Sequence, residues 1–213
     1  MFGFGNKTRL AAVLPPLTGA QLRPRIKHID YLNTLRDAGV PEDQIPDHAP
    51  LCGELLLTYA FDLPDSFIMA TPPLLRSAGI ARAEVPHLVR DNLRRALPTV
   101  KFLTGDGYGL AVTGGDMEAT LLVLDGLWQA VQADIGGELL VAVPRRDRLL
   151  MCDSAHADAV AALRQQTLKL FHASRDGQHL STQVMVRRDQ SWTLFEPASQ
   201  SLMRPSSGCR NFR

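Results

Sequence analysis

Met117, Leu121, Leu124, Trp128, Val131 and Ile135 recur at alternating spacings of four and three, which places six apolar side chains on one helical stripe. The pattern predicts a helix over 116–134, capped by Asp116 and ended by Gly136-Gly137. A second helix, over 85–97, carries Val85, Leu88, Val89, Leu93 and Ala96 on one face with Pro86 in its first turn. Others are predicted over 20–38, closed by Gly39 and Pro41, and over 155–174, with Asp153 or Ser154 as cap. Thr71 ahead of Pro72 marks the start of a short helix that closes at Gly79.

Apolar runs between these helices read as strands at 51–61, 67–70, 139–143, 148–152, 182–187 and 191–195, although the leucines of 51–61 also suit a buried helix. Segments 101–104 and 108–112 flank Gly105-Asp106-Gly107, and an Asp-Gly between two such runs predicts a type I′ hairpin. Strands joined by short turns pair antiparallel, and amphipathic helices need a sheet face to cover. The predicted fold is α+β: an antiparallel sheet built from hairpins with amphipathic helices packed on it, in one domain over 16–196. Residues 1–15 read as a flexible leader, 41–50 as a linker with three prolines, and 197–213 as a disordered basic tail.

Composition narrows the function classes. A chain of 213 residues with 45% hydrophobic residues buries enough surface to fold without a metal or disulfide. A net charge of +1 argues against a dedicated nucleic-acid binder. Cys52, Cys152 and Cys209 are far apart, which fits neither a disulfide framework nor zinc ligation, so no metal or cofactor is expected. No apolar run reaches the roughly 18 residues of a membrane span, and the stretch after Lys7 and Arg9 is too short and Pro-broken for a signal peptide. The expected location is the cytoplasm.

From Tyr59 onward the chain resembles a bacterial family of unknown function, the YtpQ-like proteins. The residues that carry the resemblance are Tyr59-Ala60-Phe61-Asp62, Leu74 to Ile80 leading into Asn92-Leu93, the helix around Trp128, Gly137 to Val143 followed by Pro144-Arg145-Arg146-Asp147, and Leu180-Ser181. The resemblance implies a soluble bacterial α+β protein and brings no activity, cofactor or catalytic residue with it.

Most candidate chemistry reduces to local structure. Gly105, Gly107 and Gly109 miss the dinucleotide-binding spacing, and no Gly-Lys-Ser or Gly-Lys-Thr is present. Gly114-Gly115 at a helix start suits an anion, but Asp116 and Glu118 occupy that turn. Asp153, Ser154, His156 and Asp158 lie too close in sequence to converge as a triad and read as a helix start. Asn92 falls on an apolar helix face, where a buried amide must tie a neighbouring backbone or hold a ligand. Arg145 and Arg146 beside Asp147 form a turn whose guanidinium forks suit carboxylates and phosphates.

Charge is sorted into blocks. Residues 41–70 hold six acids, Asp62 among them, and no Lys or Arg; 76–101 hold six basic residues, including Arg90 and Arg94; 116–138 hold five acids and no base. Either the blocks neutralise one another in the fold, or they form a polar docking surface. The leading expectation is a non-catalytic protein that binds another protein (an antidote, adaptor or regulatory subunit) through such a surface. The alternative is an enzyme or small-molecule binder holding an anionic ligand with Arg145, Arg146 and Asn92.

Overall fold

The computed structural model describes residues 16–97, 99–105, 107–173 and 177–196. The expected leader and basic tail, Cys209 included, lie outside the described residues.

A single 3-10 turn, Gly19–Gln21, is followed by a strand rather than by the expected helix. β1, Leu22–His28, buries Leu22, Pro24 and Ile26 and turns Arg23, Arg25 and Lys27 to the other side. That period of two overrides the helical reading, and helix begins only at α1, Asp30–Asp37. The strand expected over 51–61 is a hairpin of β2, His48–Cys52, and β3, Leu55–Leu63, so the expected linker supplies the start of β2. The chain reverses at Gly53, at φ 53°. β4, Ser66–Met69, returns on the far half of β3, giving a sheet of order β1-β3-β2 with β4 paired to β3.

α2, Pro72–Ser77, starts where Thr71 and Pro72 place it, although the Thr71 hydroxyl makes no capping bond. α3 spans Val85–Ala96. β5, Lys101–Gly105, and β6, Tyr108–Val112, form the expected hairpin, with Gly107 at φ 84°. The single helix expected over 116–134 is two pieces: a 3-10 segment, Glu118–Val123, and α4, Asp125–Ala133. Trp128 Nε1 donates to the Leu121 carbonyl at 2.6 Å and Trp192 Nε1 to the Leu122 carbonyl at 3.0 Å. The two indoles thus occupy carbonyls that a continuous α-helix would bond to backbone amides. All six residues of the 3-10 segment are buried, so the apolar stripe reflects enclosure rather than one wet and one dry face.

β7, Leu139–Arg145, and β8, Arg148–Asp153, flank the arginine turn. α5, Ala157–His172, follows, and β9, Val184–Arg188, with β10, Ser191–Leu194, completes a second sheet of order β10-β9-β7-β8-β6-β5. Asp153 and Ser154 do not cap α5. Asp153 accepts from the amides of Gly136 and Gly137, and Ser154 from that of Glu138, which fixes the turn before β7. Every strand pair is antiparallel and the fold is α+β, with its hairpins divided between two sheets.

β7 is buried along its whole length because both faces of its sheet are covered. Leu140, Ala142, Leu150 and Cys152 pack against Ala159 and Leu163 of α5. Leu139, Val141, Val143 and Met151 face Trp128, Leu121 to Leu124, and Ile26 and Leu55 of the first sheet. α3 covers the first sheet through Val85 and Val89 against Leu22, Tyr59 and Phe61. Burial pushes the Cys152 thiol up to about 11, with Asp153 adding to the shift, so this cysteine is a packing residue rather than a nucleophile.

The β2–β3 turn clasps the two sheets together. The Glu54 amide donates to Gln183 Oε1 at 3.1 Å, the Ser181 hydroxyl donates to Glu54 Oε1 at 2.5 Å, and the Gln183 amide donates to Ser181 Oγ at 3.0 Å. A Cβ on Gly53 would stand 2.1 Å from Gln183 Oε1, and that oxygen is committed to Glu54. Gly53→Ala is therefore expected to lose about 1–3 kcal/mol from strained backbone and a broken clasp. Urea unfolding measures this; a midpoint unchanged from the parent protein would mean that the clasp contributes nothing.

Candidate functional site

A cleft of about 480 Å³ opens between the two sheets, bounded by the end of β1, α1, the β2–β3 turn, Arg146 and segment 177–182. Its walls follow from the strand alternation of β1, which buries Ile26 and leaves Lys27 on the open side. Segment 177–180 is tied alongside the arginine turn: the Arg146 amide donates to the Gln178 carbonyl at 3.0 Å and the Leu180 amide to the Pro144 carbonyl at 2.8 Å. This holds the backbone of Arg146 at the cleft edge.

Lys27 is the main electrostatic feature. Its ammonium lies 4.9 Å from the centre of the Tyr31 ring and forms no ion pair with a carboxylate among the described residues. Burial lowers its pKa, and the charges of Arg146 and then Arg25 lower it further. Arg25 is paired with Asp62 at 2.6 Å, and Arg146 with the exposed Asp116 at 3.2 Å. Burial raises the Tyr31 phenol above its ordinary value.

The opposite wall gathers His28 with two acids. His28 Nδ1 lies 3.1 Å from the Asp30 amide and 3.2 Å from Asp30 Oδ2, and its Nε2 lies 3.3 Å from Glu54 Oε2. Glu54 is thus held by His28 and Ser181. His179 stacks edge-on against Phe171, with ring centres 5.4 Å apart. Among the described residues no group of three or more His, Cys, Asp or Glu side chains is placed to hold a metal ion.

The sequence-derived candidates separate. Arg146 lines the cleft. Arg145 is buried beside it, bonded to Asp147 at 3.2 Å and bridged through its backbone to His179. Asn92 does not join them: its amide donates to the carbonyls of Gly19 and Leu22 at 2.7 and 2.9 Å, tying the chain ahead of β1 to α3. Asp62 is occupied by Arg25, and burial pushes its carboxyl up against that arginine's pull. Arg94 pairs with Asp91 on the exposed side of α3, and Arg90 reaches Asp125 at 3.6 Å.

The glycine-rich turn is an anion cradle that the chain fills itself. Glu118 is 2% exposed, and its carboxylate accepts from the amides of Thr113, Gly115 and Met117 at 2.9, 2.7 and 3.0 Å. Gly114 and Gly115, at φ 130° and 94°, bend the backbone so that these amides converge. Asp116, the expected cap, instead reaches Arg146.

Lys27, His28, Tyr31 and Glu54 were missed as site residues because their segments were read as helix interior and as one unbroken strand. The alternation Arg23, Arg25, Lys27 between Leu22, Pro24 and Ile26 is the signal that finds them.

The chain is similar to UPF0354 proteins of Bacillus cereus, Bacillus thuringiensis and Bacillus anthracis, each 25% identical over 120 residues. The matched stretch covers 55% of this chain and 44% of each relative, so the chain spans less than half the length of the bacterial proteins it matches. No protein-family model matches the chain, and no solved structure matches it.

Proposed function

We propose that the chain is a bacterial, YtpQ-like protein that binds a small anionic ligand in the inter-sheet cleft. The observation that carries this reading is Lys27, a half-buried ammonium with no carboxylate partner among the described residues, beside two further cations. An uncompensated buried charge is costly, and an anion seated between Lys27 and Arg146 offsets it. Binding and protonation are linked: an anion beside Nζ favours the ammonium, so affinity falls as pH rises through the lowered pKa of Lys27. The ligand acts in the cytoplasm, a compartment that suits the two free, buried thiols of Cys52 and Cys152.

The pairing of the charge blocks weighs against a docking surface for another protein. Asp47, from the first acidic block, lies 2.7 Å from Arg82 of the basic one, and Asp125, from the second, meets Arg90. Among the described residues no helix is long and apolar enough to cross a membrane.

Titration calorimetry with inorganic phosphate, at constant ionic strength, tests the reading. Saturable binding is expected, weakened about tenfold or more in Lys27→Met and Arg146→Met and unchanged in Arg94→Met. Equal affinity in the parent protein and Lys27→Met, or heats that do not saturate, would sink it.

A further inference from the structure

A second pocket, of about 350 Å³, lies on the other side of the first sheet's hairpin, where β2, β3, α3 and β10 meet. Its body is apolar, with Leu51, Leu57, Tyr59, Val89 and Trp192 among its walls. Its polar rim carries Arg90 and Asp125. Pockets of this size that combine an apolar body with a few placed polar groups are suited to small ligands.

The charges at the rim do not balance. Asp125 is shared by two arginines: its Oδ1 lies 3.0 Å from Arg187 Nη2, and its Oδ2 lies 3.6 Å from Arg90 Nη1. Arg187 is 2% exposed, stacks 5.3 Å from the centre of the Trp192 ring, and its Nη1 donates to no described residue. The buried arginine thus has the stronger claim on the single carboxylate. Arg90 keeps a long contact and one internal bond, from Nε to the Pro86 carbonyl at 3.0 Å. One positive charge is left over at the mouth of an apolar pocket.

The β9–β10 turn beside it is strained. Asp189 and Gln190 stand at φ 47° and 63°, where glycine or asparagine is the usual choice, and Gln190 lines the pocket. Backbone held in this region by non-glycine residues costs about 1–3 kcal/mol at each position and tends to accompany binding sites.

We infer that this pocket binds an amphipathic carboxylate, with an alkyl or aryl body against Trp192, Leu51, Leu57 and Val89 and its carboxylate on Arg90. The ligand is distinct from the small polar anion of the inter-sheet cleft, and the inference stands whether or not that cleft binds phosphate. The guanidinium supplies a paired donor for the head group, and the body displaces water from apolar wall.

Octanoate is the probe and octanol, with the same chain and no charge, is the control. Trp192 sits in the pocket wall while Trp128 is fully buried, so tryptophan emission reports occupancy. Octanoate is expected to change the emission saturably and to bind about tenfold or more tighter than octanol. Arg90→Met removes that preference, and Arg90→Lys, which keeps a positive charge at the rim and leaves Asp125 to Arg187, retains it. Far-UV circular dichroism confirms that each variant is folded, and Arg90→Lys keeps the test open if Arg90→Met is not. An unsaturable response overturns the inference, as does octanol binding as well as octanoate in the parent protein and both variants.

Discussion

Glu118→Ala is expected to destabilise the protein by about 3–5 kcal/mol, more than a surface glutamate at a helix start would. Three backbone amides, from Thr113, Gly115 and Met117, lose their acceptor at once. Glycines at positive φ bend the chain there, so no regular structure takes over the freed donors. Glu118→Gln separates charge from shape. Its one remaining oxygen serves Thr113 and Gly115, while its amide group would face the Met117 N–H, donor against donor. A loss of about 1.5–3 kcal/mol is expected for that variant. Urea unfolding at neutral pH measures both, and a Glu118→Ala midpoint within error of the parent protein would show that water replaces the carboxylate without cost.

The same residue shows where the sequence was legible and where it was not. Gly114-Gly115 reads as a place for an anion, and Glu118 as an anion in that turn. In sequence the two look like competitors, because a sequence does not show that a side chain folds back onto the amides that precede it. Asn92 follows the structural one of its two alternatives: an amide among Val85, Leu88, Val89 and Ala96 donates to the backbone carbonyls of Gly19 and Leu22. The hairpins β5–β6, β7–β8 and β9–β10 were legible from turn residues and short apolar runs, which are local signals. The failures are non-local. β1 is a strand because β3 is there to pair with it, Lys27 opposite Leu56, and only that register puts Lys27 beside Arg146 in a cleft. Which charges pair across the fold is non-local in the same way, since Asp47 and Arg82 are far apart in sequence and adjacent in space.

Trp128→Ala is expected to cost about 3–5 kcal/mol, at the upper end for a single core truncation. The side chain is fully buried, and its ring meets that of Trp192 edge-on, 5.5 Å between centres at 83°. Its N–H is spent on the Leu121 carbonyl, which the Leu124 amide also approaches at 3.0 Å. Deleting the indole leaves a cavity between the 3-10 segment and β7, and removes one of two bonds to that carbonyl. Trp128→Phe keeps most of the ring volume and is expected to lose about 1–2 kcal/mol, chiefly the hydrogen bond and part of the edge contact. Urea unfolding separates the two, and a Trp128→Ala loss under about 1 kcal/mol would mean that the neighbouring side chains close over the gap. Because Trp192 leans on Trp128 and also walls the second pocket, Trp128→Ala should weaken octanoate and octanol alike while lowering stability. Arg90→Met should weaken octanoate alone. A Trp128→Ala protein that is destabilised yet keeps full affinity for both would show that the shape of the pocket is set by Arg187 and the β9–β10 turn rather than by the indole pair.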